Sequence, residues 1–443
     1  MRFVGATVVA VLSSVSLVES QQVVFASAGQ DLQPLVDAAA PGDTIYVPAG
    51  QYPPFAIDKG VQVIGAGSST TFVSASASCD GDSFVGKVLD VDSVPAGETC
   101  LVSGFTFEFE QVVGALGQCT PGPSTAVVVE NVGGVVVLDD VVVRSEGETL
   151  RVRSVSILVT EECQFTADTK PGLGANLATS NAVVSIERSE AWLQRTVIDT
   201  RLVPPLAASG VLPRGLEAVD ARLYLADTRV LGGGAYLGGS ASCTGPVGLP
   251  GSTGIELLGA CELRVVGLDA EIRGGAAAGD LSCPAAGGIG IQSTTSSLIE
   301  LDIQSRIAGG FGAPSDIQSP AVLGGPYLTL LQPRPVLIAD FTPTGVFVSS
   351  RASAASAVVV TYSSGLGPVT ALPAFDGASL LDLTRLQFLT VLTLGPEGTG
   401  STLLPPLPAP PSLLGLTVFL QGLEFTVGGE RQLTNVAVLP VRP

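Results

Sequence analysis

Three arginines occupy similar places in different repeats of the chain, and their type and spacing could support the binding of carboxylates. The tripeptide Asp-Thr-Arg occurs at 199–201 and at 227–229, and Arg306 stands in the equivalent place of a later repeat. If the repeats stack, Arg201, Arg229 and Arg306 form a column whose guanidinium groups can bind carboxylates, and one of them could act as a base. The alternative is that Asp199 and Asp227 form charge ladders with these arginines, an arrangement that usually has no function.

Two further kinds of binding residue stand out. Asp80 and Asp82 are hard oxygen ligands of the kind that Ca²⁺ prefers, although their spacing matches no EF-hand loop and polar loop residues are the alternative. Trp192 is a candidate platform for stacking a sugar ring, or else a core residue of a strand. We therefore predict no obligatory cofactor, with Ca²⁺ as the ion that the sequence could accommodate.

Several classes of catalyst are excluded by residue type. Histidine is absent, which removes Ser-His-Asp and Cys-His catalysis and the histidine-based metal motifs. No Cys-x-x-Cys pair occurs, so the spacing gives no support to a zinc site. Asp139 and Asp140 are adjacent carboxylates, but such pairs at a strand end are usually solvated turn residues. The sequence therefore contains no complete catalytic set.

The N-terminus and the charge balance indicate an exported protein. Residues 1–20 join Met1-Arg2 to an apolar run and then small residues, which predicts a signal peptide, because the run is too short to span a membrane. The chain has 40 acidic and 21 basic residues, a net charge of −19, which argues against nucleic acid and anionic membranes as partners. We expect a secreted or envelope-associated monomer with no membrane span in the mature chain.

Seven cysteines in an exported chain allow disulfides and leave at least one thiol unpaired. Cys243 and Cys283 lie at near-equivalent positions in neighbouring glycine-rich segments, so we predict that they pair. The alternative is two free thiols. Cys163 and Cys261 lie in strand-like segments and are predicted to be small core residues.

The elements that would position these residues are short strands separated by glycine-rich excursions. Between about Gly104 and Gly310, two or three short strands are followed each time by a segment rich in Gly, Pro, Ala and Ser. Gly-Gly pairs at 232–233, 274–275 and 309–310 end three of the units, a repeat typical of a solenoid. Excursions that leave the same edge of stacked coils would lie side by side, and that face is the natural binding surface.

The segment from Asp31 to Gly67 predicts how such a stack begins. Leu32, Leu35, Val36 and Ala39 form the stripe of a short amphipathic helix, and short apolar strands follow at 44–47, 55–57 and 61–64. The residues predicted to face the core are Ile45, Val47, Phe55, Ile57, Val61 and Val63.

This segment resembles the N-terminal cap and first coil of right-handed parallel β-helix proteins of the pectin-lyase-like kind. The resemblance implies an all-β fold, with a right-handed parallel β-helix over 21–324. It also implies an enzyme class in which many members cleave acidic polysaccharides, by elimination with an Arg or Lys base and Ca²⁺ or by hydrolysis with paired Asp.

From about Gly325 the excursions stop and the strands become longer, which predicts a separate β-sandwich-like domain over 325–443. The proline-rich stretch at 403–415 predicts an edge or connecting segment, and Gly428-Gly429 predicts the turn of a final hairpin. The end of the chain resembles the C-terminal domain of many exported proteins of Planctomycetes-type bacteria. This resemblance implies a bacterial envelope or secretion context.

Three functions are compatible with these observations. The leading hypothesis is a non-catalytic exported β-helix surface protein that binds a polysaccharide or cell-surface glycan, or adheres, through its glycine-rich loop face. The second is a polysaccharide lyase that acts on acidic glycans through the arginine column. The third is a structural spacer of the cell envelope.

Overall fold

The computed structural model describes the chain in two compact units. The described residues are 21–78, 87–112, 125–145, 147–169, 182–202, 210–211, 213–236, 250–277, 284–294, 296–313, 317–330, 334–342, 345–354, 356–364, 366–372, 375–376, 378–404 and 417–440. The first unit spans Val24–Leu331, and the residues from Gln332 onward belong to the second.

The first unit consists of short strands with one helix near its start. Its elements in chain order are β1 Val23–Phe25, α1 Gln33–Ala38, β2 Thr44–Val47, β3 Gly50–Tyr52, β4 Phe55–Ile57, β5 Gln62–Gly65, β6 Thr71–Ser78, β7 Leu89–Asp92, β8 Thr99–Val112, β9 Thr125–Glu130, β10 Val135–Ser145, β11 Glu148–Arg153, β12 Ile157–Glu161, β13 Gln164–Thr169, β14 Ala182–Glu187, β15 Glu190–Gln194, β16 Val197–Leu202, β17 Gly210–Val211, β18 Arg214–Val219, β19 Arg222–Ala226, β20 Arg229–Leu231, β21 Ala235–Tyr236, β22 Ile255–Leu258, β23 Glu262–Val266, β24 Glu271–Arg273, β25 Ile291–Ser293, β26 Leu298–Asp302, β27 Arg306–Ala308, β28 Val322–Leu323 and β29 Tyr327–Leu330.

These strands recur in a fixed order that produces three rows of parallel neighbours. The first row is β2, β5, the first halves of β8 and β10, β12, β15, β19, β23, β26 and β29. The second row is β3, β6, the second halves of β8 and β10, β13, β16, β20, β24 and β27. The third row is the nine-stranded sheet β4, β7, β9, β11, β14, β18, β22, β25 and β28. The predicted all-β class with long parallel sheets is confirmed.

The chain passes from the first to the second row through a single residue in the left-handed region. Six successive corners share this geometry, with φ between +46° and +101°, at Gly104, Asp140, Glu162, Arg195, Asp227 and Gly267. A second set, with φ between +48° and +75°, joins the third row to the next first-row strand at Ser93, Asn131, Ser154, Arg188, Asp220 and Gly259. These corners stay short, from two residues at 195–196 to six at 93–98 where they separate two strands, which keeps consecutive strands in register. Length variation is therefore concentrated in the connection from the second to the third row, where the glycine-rich excursions leave.

The Gly-Gly pairs mark places where neighbouring backbones stack without side chains. A methyl group on Gly275 would lie 1.9 Å from the Gly233 carbonyl oxygen, and one on Gly310 would lie 1.9 Å from that of Gly275. The backbone N–H groups of Gly275, Gly288 and Gly310 donate to the carbonyls of Ser252, Gly275 and Gly288 at 2.7–2.8 Å. We call Gly233, Gly275, Gly288 and Gly310, together with Ser252, the glycine stack. It holds the roots of the excursions at one edge of the unit.

One apolar core collects inward side chains from all three rows. Leu193 and Leu225 come from the first row, Phe165 and Ile198 from the second, and Leu150 from the third, all fully buried. The residues predicted to open this core are buried within it, which confirms that prediction: Ile45, Val47, Phe55, Ile57, Val61 and Val63.

The predicted helix is also confirmed. Leu32 and Val36 are buried in the core, and Leu35 and Ala39 pack against it. Within residues 31–67, strand β3 was not predicted, because it lies in a segment whose Gly and Pro residues are typical of a turn. The pairing of β29 with β26 continues the first row to Leu330, so residues assigned from sequence to the C-terminal domain lie in the parallel sheet.

The second unit is antiparallel. Its strands are β30 Val336–Thr342, β31 Gly345–Arg351, β32 Ala357–Ser363, β33 Leu366–Ala371, β34 Ala378–Leu381, β35 Gln387–Thr393, β36 Thr399–Leu404, β37 Thr417–Phe425 and β38 Arg431–Pro440. They form the sheets β30-β31-β36, β35-β32-β37-β38 and β33-β34. The final hairpin is confirmed, with Gly429 at φ +85° in its turn. Most of the proline-rich stretch lies outside the described residues.

Candidate functional site

The predicted arginine column is not one column. Arg229 is in register with Val197 on one neighbouring strand and with Glu271 on the other. Arg201 is in register with Asp168, four positions further along its strand than Val197. The alignment of Arg201 with Arg229 is therefore wrong, because the repeated tripeptide begins well after the corner in one repeat and on it in the other.

The remaining members form a charge ladder. The NH2 group of Arg229 lies 3.2 Å from Glu271 Oε2, and Arg273 lies 3.6 Å from the other oxygen of the same carboxylate. Arg306 is exposed and stands opposite Glu271 on the next strand. The guanidinium group of Arg229, one of the three candidates for a base, is thus paired with a carboxylate on the outer side of the second row.

The two aspartates of the tripeptides support the backbone. Asp227 occupies a left-handed corner, is buried, and accepts the backbone N–H of Asp269 at 3.1 Å. Asp199 accepts the N–H of Thr200 at 2.7 Å. The first contact joins two neighbouring corners of the stack, and the second stays within one strand.

Trp192 faces outward from the first row but is only 6% exposed. Its ring centroid lies 4.5 Å from that of Tyr224 on the next strand, and its indole N–H donates to Glu190 Oε1 at 2.9 Å. Burial raises the pKa of Glu190, while this hydrogen bond and Arg222 oppose the shift. Trp192 therefore fixes the half-buried ring of Tyr224 rather than offering its own face.

Tyr224 belongs to a regular outward surface that we call the aromatic strip. Along the first row, Trp192, Tyr224, Arg264 and Glu300 are in register on consecutive strands, and beside them Glu190, Arg222 and Glu262 are also in register. Arg264 donates to Glu300 at 2.6 Å, and Arg222 lies 3.4 Å from Glu262. The strip consists of these seven residues.

A second polar cluster lies on the third row, where the excursions return; Thr125, Glu148 and Glu256 are buried in it, and Arg214 and Glu217 are partly exposed. Glu148 accepts hydrogen bonds from Thr125 and Ser185, and it forms an ion pair with Arg151. Arg214 contacts both Glu217 and Glu256, the latter at 2.8 Å. Burial raises the pKa of Glu256, with Arg214 opposing it. We call these seven residues the excursion-edge network.

Glu217 and Glu256 invite comparison with the carboxylate pair of a retaining glycosidase, which brackets the reacting sugar carbon at about 5 Å separation. Here both carboxylates accept from the same NH1 nitrogen of Arg214. That nitrogen occupies the gap in which the sugar carbon would have to lie. The arrangement is suited to binding hydroxyl groups at the rim and not to general acid and nucleophile roles.

A buried acidic corner is the most unusual electrostatic feature. Asp139 and Glu161 are in register on neighbouring first-row strands, 5% and 1% exposed. Asp139 accepts from Ser103 Oγ at 2.7 Å, and Glu161 Oε1 accepts from Arg195 Nε and NH2 at 3.0 and 2.7 Å. The other oxygen of Glu161 has no hydrogen-bond partner among the described residues. Burial raises the pKa of Glu161 to about 8, Arg195 opposes the shift, and Asp139 and Glu162 add to it.

The adjacent aspartates of the sequence are therefore not a solvated turn. Asp139 is buried, and Asp140 occupies the left-handed corner, where its carboxylate accepts from Ser68 Oγ at 2.7 Å. Asp139 joins its repeat to the neighbouring one through Ser103, and Asp140 joins it to the repeat beyond through Ser68, so both have a structural role.

The described residues do not assemble a Ca²⁺ site. Asp90 accepts from Lys87 Nζ with both carboxylate oxygens at 2.9 Å, and Asp92 accepts from Asn131. In the described ranges no three Cys, Asp or Glu side chains gather as metal ligands. Asp80 and Asp82 lie outside the described residues.

The predicted disulfide between Cys243 and Cys283 also lies outside the described residues. Cys163 and Cys261 are buried thiols, which confirms their predicted place in the core. Residues 1–20, the predicted signal peptide, are not described. In the part of the chain that is described, no helix has the length and apolar character needed to cross a membrane.

Comparison with known proteins adds no assignment. No protein-family model matches the chain, and no curated protein matches it significantly. The two resemblances given above rest on the quoted residues alone.

The excursion-edge network and the acidic corner were missed from sequence. Their signals are local: Glu148 and Arg151, and Arg214 and Glu217, are opposite charges three residues apart, each near the start of a third-row strand. Glu161 stands immediately before a left-handed corner residue in a strand that otherwise reads as core.

Proposed function

We propose that this protein is an exported, non-catalytic right-handed parallel β-helix with a β-sandwich-like C-terminal domain, and that it binds carbohydrate at the edge where its glycine-rich excursions leave. The three-row strand order and the short amphipathic helix ahead of the first strands support the β-helix. A bacterial envelope or secreted location follows from the sequence resemblances, and the partner is a polysaccharide or a cell-surface glycan.

The observation that carries the proposal is the common origin of the excursions. They connect the second row to the third, and the glycine stack holds their roots against one another. Beside those roots the excursion-edge network offers carboxylates and guanidinium groups that are already hydrogen-bonded to each other, so little ordering cost remains when a sugar hydroxyl joins them. Loops fixed on a rigid scaffold are the usual place for recognition.

A polysaccharide lyase remains the alternative. It is weakened by register, because Arg201 stands apart from Arg229, and by the ion pair that Arg229 makes with Glu271. A spacer of the envelope is the third possibility, since cross-strand charge ladders stabilise a stack without any ligand.

The test uses the purified full chain. We expect it to bind polysaccharides on a glycan array, and to release no unsaturated product, followed by ultraviolet absorbance, from polygalacturonate or alginate with or without Ca²⁺. Glu217→Gln should weaken the binding, whereas Glu187→Gln should not, because Glu187 pairs with Arg153 at the opposite end of the third-row strands.

Two results would contradict the proposal. Unsaturated product that disappears in Arg229→Ala would establish a lyase. An array with no signal on any polymer would favour the spacer.

A further inference from the structure

We propose that one half of a sheet face in the second unit is the site at which two copies of this chain associate. The face is the outer side of the sheet β35-β32-β37-β38, and its residues are Val359, Phe388, Val391, Leu423 and Phe425, which we call the bare sheet face. It belongs to the antiparallel unit and not to the parallel stack. The inference therefore goes beyond the proposed function, and it replaces the monomer expected from sequence with a weak dimer.

Register and burial show that these side chains point away from the core. Val358 and Leu392, in register on neighbouring strands, are buried in the core of the second unit. Side chains alternate along a strand, so Val359 and Val391, which are also in register, lie on the opposite face. Leu423 continues this row on β37, where it is in register with Val359. Three apolar side chains thus stand side by side on the outer face.

The other half of the same face is covered by the chain itself. Gln421, on that face further along β37, is only 1% exposed. Strand β34 lies over it, since the backbone N–H of the buried Leu380 donates to Gln421 Oε1 at 3.3 Å. The bare sheet face is open by comparison, with Val391 49%, Phe388 43% and Phe425 39% exposed. Adjoining apolar side chains that remain exposed in this way mark a contact with another molecule.

The charge of the second unit allows two copies to meet there. Residues 332–443 contain five arginines, six acidic residues and neither lysine nor histidine, a net charge of −1 out of the −19 of the chain. The bare sheet face itself contains no charged residue. Repulsion between two copies is therefore weakest where their second units approach, and a strongly charged partner would gain nothing from this face.

The charges beyond the two ends of β35 indicate how the copies fit. Arg385 and Glu397 are both exposed, each lies six positions from Val391, and the sequence between them is uncharged. A two-fold axis that crosses the strands along the row of Val391, Val359 and Leu423 packs the two faces together with each β35 antiparallel over the other. Arg385 of each copy then lies over Glu397 of the second copy. This complementarity favours a second copy over an unrelated apolar partner.

The size of the face sets the strength of the association. A stable interface buries about 800 Å² on each partner. The bare sheet face covers three strands, about 4.8 Å apart, over about four residues of each, and supplies only part of that area. We expect a dissociation constant of about 10–100 µM, so that the dimer is populated at high protein concentration.

The experiment is sedimentation velocity of the full chain at concentrations from about 2 to about 300 µM in physiological salt. We expect the wild type to shift from monomer towards dimer across this range. Val391→Asp should raise the dissociation constant at least about tenfold, because it places two carboxylates at the axis. Leu403→Asp is the matched control, since Leu403 is 51% exposed on β36 of the other sheet, and this variant should dimerise as the wild type does.

Charge reversal tests the two-fold arrangement. Arg385→Glu and Glu397→Arg should each weaken dimerisation about threefold, because each brings like charges together across the axis. The double variant should return to within about twofold of the wild type, since opposite charges meet again. The ion pair of Arg385 with Asp382, at 3.3 Å within one copy, does not account for such a rescue, because Glu397 has no part in it.

The outcomes are distinct from those for glycan binding, which Glu217→Gln tests in the first unit. Circular dichroism checks the fold of each variant, and Phe388→Asp repeats the test on the same face if Val391→Asp does not fold. A wild type that stays monomeric throughout, a Val391→Asp variant that dimerises normally, or a double variant that stays weak would overturn the inference. Flotation of the wild type with phosphatidylcholine vesicles, lost in Val391→Asp, would assign the face to a lipid surface and overturn it as well.

Discussion

Replacing Glu161 by glutamine tests whether the buried acidic corner holds a proton in the folded protein. Burial raises the pKa of Glu161 to about 8 in spite of its two hydrogen bonds from Arg195, and the neighbouring Asp139 carboxylate adds to the shift. The folded-state pKa lies above the ordinary value of 4.5. The contribution of the protonated Glu161 side chain to the free energy of unfolding is therefore fully present below about pH 4.5 and is lost as the pH rises through about 8.

The magnitude follows from the same two values. A pKa of about 8 against 4.5 corresponds to at most about 5 kcal/mol between the two ends of this interval. The value of about 8 already includes the opposing effect of Arg195, and rearrangement and water penetration around the ionised carboxylate reduce the cost further, so we expect about 2–4 kcal/mol. Glutamine mimics the protonated side chain and does not titrate. The free energies of unfolding of wild type and Glu161→Gln should differ least near pH 5, and the variant should be the more stable near pH 9.

The assay is urea unfolding of the first unit's transition within the full chain at about pH 5, 7 and 9, with intrinsic fluorescence of Trp192 as the probe. Glu187→Gln is the control, since Glu187 sits in a partly exposed ion pair with Arg153. Its pH profile should parallel that of the wild type. Parallel profiles for wild type and Glu161→Gln, or a Glu161→Gln variant that is less stable at every pH, would refute the reasoning by showing that Arg195 keeps Glu161 ionised.

Three further outcomes are expected from the packing. Gly275→Ala should lower the free energy of unfolding by about 3 kcal/mol, because its methyl group would meet the Gly233 carbonyl. Gly234→Ala should change it by less than about 1 kcal/mol, because no atom lies closer than 3.6 Å to the added methyl group. Equal effects of the two variants in urea unfolding would contradict the glycine stack. Arg229→Ala should change the free energy of unfolding by no more than about 0.5 kcal/mol, since its side chain is 50% exposed, and a loss of several kcal/mol would contradict the ladder assignment. Burial raises the pKa of the thiols of Cys100, Cys163 and Cys261, that of Cys100 to about 12. Mass spectrometry after treatment of the native protein with a thiol-labelling reagent should therefore find these three cysteines unmodified until urea is added. Labelling of any of them without denaturant would contradict their burial.

The opening of the fold could be predicted because its pattern is local. The period of the helix from Leu32 to Ala39 and the alternation in the strands around Ile45 and Phe55 are visible in the sequence, and each agrees with burial in the core. Cys163 could be assigned to the core for the same reason. Strand β3 escaped because Gly50 and the prolines near it have turn propensity, and only pairing with β6 makes the segment a strand.

The candidate site could not be predicted to the same degree, because register depends on where each corner falls. Arg201 and Arg229 share a tripeptide, yet the left-handed residue of one corner is Arg195 and that of the next is Asp227. The first arginine is therefore six positions beyond its corner and the second only two. Glu161 is the last residue of strand β12, and its burial depends on neighbours that are distant in sequence.

The stacking of Trp192 on Tyr224 also could not be predicted from sequence, because these residues meet only when β15 pairs with β19 in one particular register. Sequence identified Trp192 as a candidate sugar platform but gave no reason to choose Tyr224. Pairing between repeats brings the two rings together and leaves Trp192 buried.

The central claim is that the outward surfaces of this parallel stack bind glycan without cleaving it, and saturation-transfer difference NMR on the full chain with a neutral 1,4-linked oligosaccharide tests it most directly. One spectrum reports both contact and chemical integrity of the sugar. We expect transfer to the ring protons of an oligosaccharide that stays intact, and weaker transfer in Glu217→Gln than in Glu187→Gln. Shortened oligosaccharide, or no transfer at any concentration at which the protein stays folded, would contradict it.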